Sequence, residues 1–147
     1  MAELAADRDE IRDLLARYTY NGDRGRVADL AACFAPDGLL EFPGNEARGP
    51  EAIAAVLGSG RRNPALTFMR HHITNPLIYV AGDTATARSY FTVHANSGPD
   101  HSGTYDDRLV RTAAGWRFAR RRVRVDWQST ESLFRPMVTR PHQSTSA

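Results

Sequence analysis

The chain has 147 residues, 41% of them hydrophobic, 24% charged and 9% aromatic, which suffices for one ordinary globular core and is short for two. Nineteen basic residues, all of them arginine, against 17 acidic ones leave a net charge of +2; so small an imbalance, with both signs interleaved, gives no warrant for a nucleic-acid or membrane-surface role. Cys33 is the only cysteine, so neither an internal disulfide nor a cysteine metal cluster can form, and no stretch approaches the roughly 18 apolar residues of a membrane span, which makes a cytoplasmic protein the expectation.

From Asp7 to Tyr20 the apolar residues Ile11, Leu14, Leu15 and Tyr18 recur at i, i+3, i+4 and i+7, the pattern of an amphipathic helix. The string NGDRG, residues 21 to 25, supplies a stop and a plausible N-cap. A second helix is expected from Val27 to Phe34, ended by APDG, and a short strand from Leu39 to Phe42. GPEAIAAVLGSG, residues 49 to 60, reads as a third helix with a first-turn proline.

The periodicity then changes to that of strands. Residues 67 to 80 are rich in β-branched and aromatic types, AGD makes a turn before residues 84 to 95, and further strands are expected from Gly103 and from Trp116, joined by TAAG. Residues 1 to 138 read as one domain and 139 to 147 as a polar tail. Helices first and antiparallel strands after argue for an α+β fold, the helices covering one face of a curved sheet and leaving a concave interior for a small ligand.

Alternation sorts the strand residues by face. Met69, His71, Ile73 and Asn75 share one face and Phe68, Arg70, His72 and Thr74 the other, so His71 lies among apolar neighbours, as either a satisfied core histidine or an inward-facing base. Ala85, Ala87, Ser89, Phe91 and Val93 form an inner face, which turns Tyr90 and His94 outward. Tyr105 and Leu109 share an inner face on the next strand. On the last strand Arg121 is the one cation on a small, apolar face, with Trp116 and Phe118 assigned to the opposite, outer side. Splitting the charges of ARRRVRV between two faces argues against a nucleic-acid site.

The strings IRDLLARYTYNGD, FAPDG, RGPEAI, RHHITNPLI, GDTATARSY, GTYDDRLVR and GWRFARRRVRVDW together resemble, in order and spacing, the SnoaL-like branch of the NTF2-like superfamily over roughly residues 8 to 127. The resemblance implies a cone-shaped barrel of three N-terminal helices on a strongly curved, mixed but mostly antiparallel sheet. Its members include scytalone and bile-acid dehydratases, polyketide cyclases and non-catalytic dioxygenase subunits. The dehydratase pattern of a tyrosine followed five positions later by aspartate falls on Tyr18 and Asp23, and the catalytic histidine falls on His71 of HHITN. The second histidine of scytalone dehydratase has no sure match; His94 is near its place but on the outward face.

An aspartate bonded to a histidine fixes one tautomer and makes the other ring nitrogen a base near neutral pH. The resulting expectation is a lyase or cyclase without cofactor or metal, in which Asp23 orients His71, His71 takes a proton next to a carbonyl and Tyr18 stabilises the enolate. Phe91, Val93, Tyr105 and Leu109 would line the pocket and Arg121 would add a polar contact. Elimination, cyclisation and isomerisation remain open, as does a non-catalytic binding or subunit role. The substrate is expected to be a small apolar carbonyl compound. A homodimer is expected through an outer sheet face carrying Tyr90, Trp116 and Phe118.

Overall fold

The computed structural model describes residues 1–138. Helix α1, Ala2–Asp23, buries Ile11, Leu14, Leu15 and Tyr18 as the spacing predicts. It starts earlier than the apolar stripe because Asp7 ties the first turns down: its carboxylate accepts two hydrogen bonds from Arg111 (2.7 and 2.9 Å) and one from the Trp116 indole (3.0 Å). Helix α2 is shorter than expected, Val27–Ala31, since Phe34 already belongs to strand β1, Phe34–Phe42. A turn at Pro43 and Gly44 leads to β2, Asn45–Arg48, an element the sequence reading did not contain, and α3 follows over Pro50–Gly58.

Strands β3 (Met69–Ala81), β4 (Thr84–Ala95), β5 (Gly98–Thr112) and β6 (Gly115–Gln128) complete a six-stranded sheet of order β2-β1-β6-β5-β4-β3. Among the described residues only the β1–β6 pair is parallel. The α+β cone with a mixed, mostly antiparallel sheet is therefore the observed architecture. Its core gathers α1, the inner faces of β4 and β5, and Ile53 of α3.

Bulges, each adding one residue to one strand, decide which side chains face inward. Leu109 pairs with Phe118 and Arg108 with Arg120, so Ala119 is an extra residue on β6. Trp116 and Phe118 consequently turn to the same inner side as Arg121, and both are fully buried. This corrects their expected outer position and removes two of the three aromatic residues on which the dimer face was argued. In β3 the register breaks between Thr74 and Leu77, where Asn75 has φ 54° and Pro76 lacks a donor. Asn75 is therefore exposed rather than inward with His71, and Ile78 takes over the inner face. At Gly103, where Asp126 is the extra residue opposite, a Cβ would lie 1.8 Å from the Arg124 carbonyl oxygen. Only glycine fits that approach.

Candidate active site

Asp23 is the last residue of α1, and its carboxylate reaches the start of β3. One oxygen accepts a hydrogen bond from the His71 backbone N–H at 3.0 Å and the other meets His71 Nδ1 at 2.5 Å. A carboxylate can only accept, so Nδ1 carries the proton and Nε2 is the free ring nitrogen. The Asp23 side chain is 6% exposed and that of His71 19%. The expected pair thus stands in contact, with the imidazole its more accessible member.

A second pair stands beside it. In the pairing of β4 with β5, Val93 meets His101 and His94 meets Pro99, which leaves Asp100 as an extra residue. This bulge lets two consecutive side chains, Asp100 and His101, both be buried. His101 Nδ1 lies 2.7 Å from Asp100 Oδ1, so its Nε2 is also left free. Val93 is the shared neighbour of His71 and His101 across the three strands. The two imidazoles are 6.4 Å apart and nearly perpendicular, with the Phe91 ring about equally far from each, at 6.2 and 6.0 Å.

Burial pushes the His101 imidazole below its ordinary value, against the pull of Asp100, so the ring is neutral near pH 7. Burial of Asp100 itself would raise its acid, but hydrogen bonds from His101, Ser132 and the Leu133 N–H outweigh this and hold the carboxyl below the usual range.

Tyr18 sits deeper. The aromatic contacts run from His71 to Phe91, on to Tyr105 (stacked, 4.5 Å) and then to Tyr18 (6.0 Å). Burial pushes both phenols up, with Arg121 opposing in each case, so both stay protonated and able to donate. Arg121 fills the floor of the cone: its guanidinium makes two hydrogen bonds of 2.8 Å to Asp107 and lies over the rings of Tyr105 (3.8 Å), Tyr18 (4.3 Å) and Phe118 (4.3 Å). Both members of the pair are completely buried. Burial works against each charge: it pushes the Asp107 carboxyl up while Arg121 pulls it down, and Asp107 keeps the guanidinium protonated.

Of the expected lining residues, Phe91 and Val93 adjoin the two histidines and Tyr105 stacks on Phe91. Leu109 does not join them. It pairs with Ala85 and Phe118, eight residues further along β5 than His101, in the packed core under α1. Arg121 is enclosed as a structural ion pair rather than presented at an open surface. His94 is exposed and faces outward beside His72.

The sequence reading missed His101 and Asp100. It starts this strand at Gly103, whereas β5 begins at Gly98. Counting back by twos from Tyr105 through Gly103 would have put His101 on the inner face. Among the described residues no three His, Cys, Asp or Glu side chains converge as a metal site.

A protein of this architecture, with a His–Asp pair set at the junction of α1 and the sheet, belongs to a class of small cone-shaped domains. The family model of the SnoaL-like domain matches residues 3–122, and the chain belongs to that family. An uncharacterized protein of Mycobacterium tuberculosis (strain H37Rv) is 32% identical over 133 residues, covering 82% of this chain and 86% of that one. Among solved structures, an NTF2-like protein with a cystatin-like fold from Novosphingobium aromaticivorans superposes with a TM-score of 0.77 at 32% identity, covering 91% of this chain and 92% of that one. A candidate scytalone dehydratase from the same organism gives 0.73 at 25% identity, covering 88% and 91%. No helix among the described residues is long and apolar enough to cross a membrane.

Proposed function

We propose that this protein is a cytoplasmic, cofactor-independent lyase or cyclase that removes a proton from the carbon beside a carbonyl in a small, largely apolar metabolite. The observation that carries the reading is the pair of His–Asp contacts on one inner wall, His71 with Asp23 and His101 with Asp100, each through Nδ1, so that both Nε2 atoms point away from the carboxylates. A cone serving only as a structural subunit has no use for two such pairs. Each buries a carboxylate, which is costly unless it is partnered.

In the proposed reaction His71 Nε2 takes the proton, and the electron pair of the C–H bond moves into the carbonyl to give an enolate. Asp23 stabilises the imidazolium that forms. His101, being neutral, accepts a hydrogen bond at Nε2 from a substrate hydroxyl and so fixes the oxygen that reacts next. In an elimination the electrons return to expel that oxygen, which leaves as water with the proton His71 took. In a cyclisation or isomerisation the same enolate attacks a second carbonyl or is protonated elsewhere. Tyr18, with Tyr105 next in line, is the proposed donor to the enolate oxygen. Phe91 and Val93 supply the apolar wall.

The test is α-proton exchange in D2O, followed by NMR on a panel of cyclic β-hydroxy ketones. Exchange above the buffer rate that is lost in His71→Ala supports the mechanism. Exchange by no member of the panel, or exchange that survives the substitution, overturns it. The homodimer also remains our proposal, now through the exposed Leu77, Tyr79, Tyr90 and Trp127; a light-scattering mass of one 16.3 kDa chain would refute it.

A further inference from the structure

Asp100 is completely buried, and its carboxylate serves two masters. Oδ1 accepts from His101 Nδ1 and from Ser132 Oγ, each at 2.7 Å, and Oδ2 accepts from the Leu133 backbone N–H at 2.9 Å. Its backbone carbonyl accepts from the Ser129 N–H, also at 2.7 Å. The segment after β6 is thereby drawn back over His101, against which the Phe134 ring packs edge-on at 4.9 Å. Gln128 organises the rest of this strap: its amide nitrogen donates to Ser132 Oγ and to the Arg135 carbonyl, and its oxygen accepts from the Met137 N–H.

We propose that Asp100 is a positioning residue that couples the docking of residues 129–134 to the orientation of His101. The proposal rests on the reading of His101 as part of the site. Three donors converge on one side chain, and only a carboxylate accepts from all of them; an amide must surrender at least one. With the strap docked, Phe134 shields His101 and Asp100 holds its Nδ1–H. With the strap lifted, the carboxylate loses two of its three donors and gains water, and His101 is freed at once from its cover and from its fixed partner. Substrate reaches His101 in the lifted state and is enclosed in the docked one.

Among the described residues the charged and titratable groups facing His101 are Asp100 on its own strand and His71 from β3, and β6 brings the uncharged Gln128 opposite it. Val93 of β4 and the strap residues Ser132, Leu133 and Phe134 bring no charge. The titration of His101 therefore reports the docking of the strap and the state of its two named neighbours.

The experiment compares wild type, Ser132→Ala and Asp100→Asn as full-length chains without substrate. Chymotrypsin cleavage after Leu133 or Phe134 reads the strap, and ¹⁵N NMR of the imidazoles reads tautomer and titration. Ser132→Ala removes the hydroxyl that donates to Asp100 and accepts from Gln128 and the Phe134 N–H, while the contact of Asp100 with His101 keeps both of its own atoms. Cleavage should rise about 5-fold or more, since a single lost hydrogen bond of about 1 kcal/mol already gives that factor and the hydroxyl makes three. The His101 midpoint should move up toward that of an exposed histidine as burial is relieved. Asp100→Asn should raise cleavage further and populate both His101 tautomers. Should Asp100→Asn fail to fold, Ser132→Ala alone decides. Faster cleavage with His101 signals unmoved would overturn the coupling, and so would unchanged cleavage in both variants. No substrate is present, so these outcomes stand apart from the fate of the proposed reaction, which the His71→Ala exchange assay decides.

Discussion

Removing Asp107 leaves the Arg121 guanidinium buried without its counterion, and arginine cannot escape by losing its proton. Breaking one side of a buried ion pair costs about 3–5 kcal/mol. The three aromatic rings over Arg121 soften this, since a desolvated cation–π contact is worth up to about 2 kcal/mol, so Asp107→Asn should lose about 3 kcal/mol, roughly 10 °C in melting temperature for a chain of this size. Arg121→Met behaves differently, because the stranded Asp107 can take up a proton. Its acid is then raised further above the unfolded value of about 3.9. A raised folded pKa means that stability is fully present below the unfolded value and is lost as pH rises through the folded one. The variant should therefore be less destabilised at pH 5 than at pH 8. Replacing both residues, Asp107→Leu with Arg121→Met, removes the charges together and should restore most of the lost stability. Urea melts followed by circular dichroism at the two pH values measure all three. If Asp107→Asn melts within about 0.5 kcal/mol of wild type, as a surface change would, the pair is not the floor of the cone. If the double variant folds but loses turnover, Arg121 meets substrate after all.

His71→Ala and Asp23→Asn should each lower turnover about 100-fold or more while leaving the melting temperature nearly unchanged, because neither deletes much apolar area; steady-state kinetics beside a thermal melt check this. Tyr18→Phe keeps the ring against Phe34, Tyr105 and Phe118, so a purely structural tyrosine costs on the order of 1 kcal/mol in a melt, whereas an enolate donor costs about 100-fold in rate with the melt unmoved. Hydrogen bonds from Arg111 and Trp116 hold the Asp7 carboxyl below its ordinary value, so its stabilisation is present above about pH 4 and lost as pH falls further. Asp7→Asn should flatten that part of an acid-unfolding curve, and an unchanged curve would show that Asp7 does not anchor α1.

What could be read from the sequence and what could not divide along the range of the interactions. The helical stripe of Ile11, Leu14, Leu15 and Tyr18 and the alternation of β4 depend on residues close in the chain, and both stand as expected. So does the contact of His71 with Asp23, which the family pattern placed. Bulges depend on how two strands pair, and nothing local to ARRRVRV marks Ala119 as the extra residue. That one insertion moved Trp116 and Phe118 from the outer face to the core. The bulge at Asp100 is the costlier omission, because an alternating strand would send Asp100 and His101 to opposite faces. Only the irregular pairing opposite Val93 and His94 brings both inside. Gly98, at φ 106°, starts β5 immediately after the turn, where Asn, Ser, Gly and Pro look like loop.

The division between the two ends of the cone bears on the chemistry it can perform. At the floor, Nε and Nη2 of Arg121 donate to Asp107, and Nη1 is buried without a hydrogen-bond partner among the described residues. On the wall of β3 and β5, two imidazoles each turn Nδ1 to a carboxylate and Nε2 away from it. On the proposed reading both imidazoles act through Nε2, with the weakly acidic phenols of Tyr18 and Tyr105 further in. A proton that must reach a leaving group is then the one just taken from carbon, returned by the same imidazolium. That balance suits reactions with no net proton change, in which the hydrogen leaves one atom of the substrate and ends on another or on the water released. The neutral state of His101 serves this economy: a permanently charged second imidazole 6.4 Å away would oppose the formation of the first imidazolium.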